Sequence, residues 1–131
     1  MSSHYKVLAH ETFMEQFNDF LDKHTQSIQS LMAQIVGAAK DPLNFGKTMA
    51  GVQSSLLRGR IRRYHVSGRS GFRLICLIDT DHQVVMPVFL SSDVRAALKY
   101  DDIPWEDYAA QILDDLISER WEKFTVFTIP D

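Results

Sequence analysis

The stretch "RGRIRRYHVSGRSGFRLICLID", residues 58–79, decides how the chain folds. Two runs of strand-like residues flank Ser67-Gly68-Arg69-Ser70-Gly71, which is turn material. The first run, 58–66, predicts a basic strand. The second, Phe72–Ile78, is apolar except for Arg73 and predicts a strand buried at its centre. A short link between two strands implies antiparallel pairing. Asp79-Thr80-Asp81-His82 reads as the next turn, and Val84–Leu90 as a third strand. Pro87 cannot donate a ladder hydrogen bond, so it predicts an edge or irregular position there.

Upstream, residues 4–9 place Tyr5, Val7 and Ala9 on one face and predict a first strand. Thr12 and Glu15 have the spacing of a capping box. Phe13, Phe17, Phe20 and Leu21 then predict a helix over 12–23. Ile28, Leu31, Met32, Ile35 and Val36 predict a second helix, which ends near Lys40 because Pro42 disfavours helical backbone at Asp41. The two form a helical hairpin. Residues 43–57 have no clean period and read as a loop with one helical turn.

Downstream, Ser91-Ser92-Asp93 offers a cap before a helical Val94–Tyr100. Asp101-Asp102-Ile103-Pro104 opens a last helix with proline in its first turn. Trp105, Tyr108, Ala109, Ile112, Leu113, Leu116 and Ile117 form its apolar stripe, with Glu106, Asp107, Asp114 and Asp115 opposite. "FTVFTI", residues 124–129, alternates and can add a strand. The fold class expected is α+β in a single domain over 1–131. Its body spans 4–100, a strand and helical hairpin on a small antiparallel sheet, and 101–131 form an acidic helical extension.

Composition narrows the function. The 131 residues are 45% hydrophobic and 24% charged, as in ordinary globular chains. A single cysteine, Cys76, rules out an internal disulfide framework and suits a reducing compartment. Its apolar strand context marks it as core. The opening "MSSHYKVLAHETF" has no apolar core of signal-peptide length, and no run approaches the roughly 20 apolar residues a spanning helix needs. These features predict a cytoplasmic protein without membrane contact. His4, His10, His24, His65 and His82 have no ligand-like spacing, so neither metal nor cofactor is expected.

The net charge of −3 conceals an asymmetry. Residues 1–95 hold 11 Lys+Arg against 8 Asp+Glu, while 96–131 hold 3 against 9. Six of the fourteen cations are arginines within 58–73, where there is no acid. On an extended strand Arg58, Arg60, Arg62 and Tyr64 share one face, Ile61, Arg63 and His65 the other. Arginines crowded this way repel unless an anion sits among them, and phosphate suits the guanidinium fork. Arg58, Arg60, Arg62, Arg63, Tyr64 and Arg69 are therefore candidate RNA-binding residues, with Tyr64 and Phe72 as stacking platforms. The competing reading is a solvated strand whose arginine stems cover apolar surface. The acidic extension is either an added core layer with its acids in water or a screen over the arginine face.

The strand-hairpin opening, "RGRIRRYHV", "SGFRLICLID" and "QVVMPVFLSSDVR" together resemble the RelE/ParE toxin superfamily over about residues 4–100. Gly71-Phe72-Arg73-Leu74-Ile75 matches that family's glycine-aromatic-Arg-Leu segment. The resemblance implies a toxin-like protein of a type II toxin–antitoxin system that cleaves mRNA, on the ribosome in RelE-type members, without metal. It implies an RNA target and a cognate antitoxin, and leaves a homodimer open. Arg60, Arg62 and Arg73 match phosphate-clamping positions. Arg95 and Tyr100 stand near where nuclease members carry a basic residue and a C-terminal tyrosine or histidine. Asp93 departs from that pattern. His65 is a candidate acid or base on its reference pKa of about 6.5. The catalytic candidates are thus Arg73, His65, Arg95 and Tyr100. ParE-type members share the fold, lack that site and act on DNA gyrase, so a gyrase inhibitor or non-catalytic binding module is the alternative.

Overall fold

A computed structural model describes residues 4–49, 52, 54–66, 72–91 and 105–128. The elements are β1 (Lys6–His10), α1 (Glu11–Lys23), α2 (Ile28–Lys40), β2 (Lys47–Thr48), β3 (Ile61–His65), β4 (Arg73–Asp79), β5 (Val84–Ser91), α3 (Trp105–Ile117) and β6 (Phe124–Phe127). The strands form one sheet in the order β2-β3-β4-β5-β1-β6. Every neighbouring pair is antiparallel except β1 with β5. The class is α+β, as expected.

Strand alternation sorts the side chains of β4 into two cores. Leu74, Cys76 and Ile78 pack with Phe13 and Phe20 of α1 and Leu31 and Ile35 of α2. Ile75 and Leu77 pack with Trp105, Ala109, Ile112, Leu113 and Leu116 of α3. The sheet is thus covered on both faces, which explains why β4 and β5 read as continuous apolar runs. α3 is a full layer of this sandwich, and β6 joins the sheet beside β1. Within its stripe only Ile117 falls outside, at 63% exposed.

Pro87 lies in a central strand, not at an edge. The register pairs Ile75 with Phe89 but Cys76 with Pro87, so Val88 is an extra residue on β5. This bulge relieves the ladder where proline has no N–H to give. Gln16 of α1 satisfies the freed groups. Its amide donates to the Val88 carbonyl at 3.2 Å and its oxygen accepts from the Leu90 N–H at 3.0 Å.

The expected capping box at Thr12 is replaced by a cap two residues earlier in the chain. His10 is the N-cap of α1, and its Nδ1 accepts from the Thr12 N–H at 3.2 Å. That bond leaves the ring proton on Nε2, which donates to Asp115 Oδ2 of α3 at 2.6 Å. Both residues are buried. Asp115 therefore does not lie on a solvated acidic face. The loop expected over 43–57 also contains β2, which pairs with Arg62 and Arg63. β3 begins at Ile61 and not at residue 58, because the preceding residues form turns with Gly59 at φ +81°. The expected 67–71 turn and Val94–Tyr100 helix lie outside the described residues. No described helix is long and apolar enough to cross a membrane.

Candidate functional site

The site is organised by the turn that joins α2 to β2. Asp41 ends α2, and its carbonyl accepts from the Phe45 N–H at 2.9 Å. Arg62 then clamps the turn from β3. Its Nε donates to the Phe45 carbonyl at 2.8 Å and its Nη2 to the Gly46 carbonyl at 2.9 Å. The cation sits at backbone acceptors, so its first role is to hold this turn against the sheet.

Two glycines permit the packing underneath. Phe45 stacks on Tyr64 with ring centroids 5.7 Å apart and 24° between planes. A Cβ on Gly37 would fall 2.5 Å from Phe45, and one on Gly46 would overlap the Tyr64 ring and approach the Arg63 carbonyl at 2.9 Å. Gly46 also has φ +81°, a left-handed conformation that side chains resist. Gly46→Ala is accordingly expected to destabilise the fold by about 2 kcal/mol through strain and overpacking. Urea unfolding measures this, and a loss under 0.5 kcal/mol would show that the ring moves freely.

Two clefts open on either side of the turn. One, of about 270 Å³, is lined by Gln34, Phe45, Gly46, Lys47, Arg63, Tyr64 and Arg73. The other, of about 220 Å³, is lined by Pro42, Leu43, Arg58, Gly59, Arg60, Arg62, Ile78 and Thr80. Six cations line the two clefts and no carboxylate does. Arg60 and Arg62 thus belong to one cleft and Arg73 to the other, so these three do not close on a single ligand atom.

Protein groups already engage part of the arginine set. Arg58 Nε donates to the Val52 carbonyl at 3.3 Å. Arg60 Nη1 reaches Asp79 Oδ1 at 3.0 Å, and Asp79 Oδ2 lies 2.5 Å from His82 Nδ1. Asp79 is buried and both its partners are more than a third exposed. This Arg60–Asp79–His82 group has no signal in the sequence beyond a turn pattern, because it forms only when β3 pairs with β4.

Tyr64 and Phe72 offer no ring face to a base. They are 3% and 5% exposed, and Phe72 packs edge-on against Phe20 and against His24. Tyr64 contributes something else. Its hydroxyl is the one buried side-chain polar atom without a hydrogen-bond partner among the described residues. Burial pushes its phenol far above the ordinary value, with Cys76 adding to the rise and Arg62 partly opposing it. Tyr64 therefore stays protonated and can only donate or accept a hydrogen bond. The side chain of His65, and all of Arg69, Arg95 and Tyr100, lie outside the described residues.

Two acids of α3, Asp114 and Asp115, do not converge on these clefts. Asp115 bonds His10 on β1 and Arg120 at 2.6 Å, and Asp114 bonds the same arginine at 3.0 Å. β1 is separated from β3 by β5 and β4. These two acids anchor the extension to the far side of the sheet and do not screen the arginines.

Comparison of the chain with protein-family models, with curated proteins and with solved structures gives no match.

Proposed function

We propose that this is a toxin-like RNA-binding protein of RelE/ParE character, held in check by an antitoxin, which grips the RNA backbone along β3. The observation that carries this reading is the pair of clefts, lined by six cations and no carboxylate, on the two sides of one clamped turn. Four residues of β3 span roughly 13 Å at strand rise. Cations distributed along such a strand suit several phosphates of a single RNA strand. Contacts of this type position a backbone and do not read bases. Burial of Tyr64 and Phe72 supports the same emphasis on phosphate over stacking.

Cleavage without metal would need a proton acceptor for the 2′-hydroxyl, a donor for the leaving oxygen and cations at the phosphoryl group. The arginines supply the cations. Among the described residues His82 has the best arrangement for proton transfer: Asp79 holds its Nδ1, which leaves Nε2 for substrate.

The test incubates the purified chain with a single-stranded RNA in excess EDTA and follows both binding and end formation. Binding that weakens steeply with salt, together with new RNA ends, is the expected result. Inhibition of gyrase supercoiling with no RNA binding at low salt would replace this reading with the gyrase-directed one.

A further inference from the structure

The described sheet ends in two unlike edges, β2 and β6. β2 is two exposed residues long and carries Lys47. A short edge with a lysine resists pairing with another chain. β6, Phe124-Thr125-Val126-Phe127, has no charge, proline or glycine. It runs antiparallel to β1, so alternate N–H and C=O groups point away from the sheet, where no described strand lies. Its two phenylalanines are anchored. Phe124 packs against His10 on the α3 face, and Phe127 against Phe17 on the hairpin face. Val126 shares the α3 face with Phe124. It is 62% exposed, although Leu8, opposite it on β1, is buried. The Trp121 ring lies 6.3 Å from that of Phe124 by centroids. Of the five large hydrophobic side chains exposed among the described residues, Ile117, Trp121 and Val126 are three.

We infer that β6 is the docking edge for a second copy of this chain, paired antiparallel about a two-fold axis so that two six-stranded sheets become one. The charge pattern selects a second copy. A two-fold axis brings like residues together, and like charges placed opposite one another destabilise a strand pair. Matching faces with the greatest overlap put Thr125 or Val126 on the axis. Glu122 then falls opposite position 128 or 130, and Lys123 opposite 127 or 129, all uncharged. Val126 meets Phe124 or Val126 of the second copy, an apolar cross-strand pair in either register. A four-residue strand with three apolar side chains per copy makes a small interface, which sets a reversible dimer of about micromolar affinity. The inference is independent of the RNA reading. β3 stands four strands from β6, so the dimer leaves both arginine clefts toward its outer ends.

Sedimentation velocity on the full chain from about 1 to 200 µM tests this. The expected result is a rise from 15.0 kDa to twice that mass across the range. Val126→Lys places a charge on the edge at an exposed position. It should weaken the dimer at least tenfold and leave the melting temperature of the dilute protein unchanged. Hydrogen exchange on the wild type is the second readout and does not depend on how the variant folds. Amides within 124–127 should gain protection at 200 µM over 5 µM, while those of β2 should not. A wild type that stays monomeric at 200 µM would overturn the inference and leave the edge to a strand of another chain. A dimer that Val126→Lys leaves intact, or whose β6 amides gain no protection, would put the interface elsewhere and refute it equally.

Discussion

Replacing Asp115 by alanine is expected to lower the unfolding free energy by about 3 kcal/mol, mainly by stranding a buried donor. His10 Nε2–H would lose its acceptor in a fully buried setting, and Arg120 would lose its 2.6 Å partner. The loss would spread beyond α3, because His10 is the N-cap of α1 and the last residue of β1. Asp115→Asn keeps an acceptor for His10, but its amide nitrogen cannot accept from Arg120, so it gives up the charge and that bond and should cost about 2 kcal/mol. The pair also has a pH signature. Burial by itself raises the Asp115 pKa, but hydrogen bonds from His10 and Arg120 and the charge of Arg120 overturn it, leaving the carboxyl below its ordinary value. A carboxyl lowered on folding contributes stability that is complete above its unfolded pKa of about 4 and is lost as pH falls through the folded value. Wild type and Asp115→Asn should therefore differ at pH 6 and converge in acid. Urea titrations across pH 2–7 read this directly. A difference that grows in acid would mean the carboxylate is not what holds the extension.

Converting Lys47, Arg63 and Arg73 together to glutamine is expected to weaken binding of single-stranded RNA roughly a hundredfold at 0.1 M salt. The figure follows from counterion release: three phosphate contacts at about 0.7 each give roughly two decades across the decade from 0.1 to 1 M. The same variant should show a salt slope shallower by about two, and its affinity should approach that of the wild type near 1 M salt. These residues line the cleft and are not part of either buried core, so the variant should still fold. Circular dichroism checks this. A folded triple variant with unchanged affinity would move RNA binding away from this cleft.

Most of the architecture was legible from residue spacing. The two helices of the hairpin announced themselves through Phe13, Phe17 and Phe20 and through Ile28, Leu31 and Ile35, and both formed within a residue of the expected bounds. β4 and β5 were visible as apolar runs. Spacing carried less where tertiary contacts override local pattern. Thr12 and Glu15 have a capping-box spacing, yet His10 took the cap because its ring is gripped from α3, 105 residues away. Pro87 marked an edge or irregular position, and the irregularity is there as a bulge with Gln16 beneath it, but in a central strand. Ile117 continues the apolar stripe but projects outward at the end of α3.

The arginine cluster was obvious in the sequence, but its partition was not. Alternation alone grouped Arg58, Arg60, Arg62 and Tyr64 as one ligand face. In the fold Arg62 turned to the carbonyls of Phe45 and Gly46, and Arg60 to Asp79. Those partners come from a turn without periodicity and from the next strand, so no local signal marks them. Lys47 was missed for the same reason, since β2 is two residues long and forms only against β3. Asp115 looked like one more acid on a solvated helix because its partner, His10, precedes it by most of the chain.

The most direct measurement of the central claim is the affinity of the wild-type protein for a single-stranded RNA as salt is raised from 0.05 to 0.5 M. Six cations in two adjacent clefts, of which some already serve the turn, predict three to five phosphate contacts. The expected log–log slope is therefore about −2 to −3.5. A slope near zero, or no binding at the lowest salt, would contradict a backbone grip along β3.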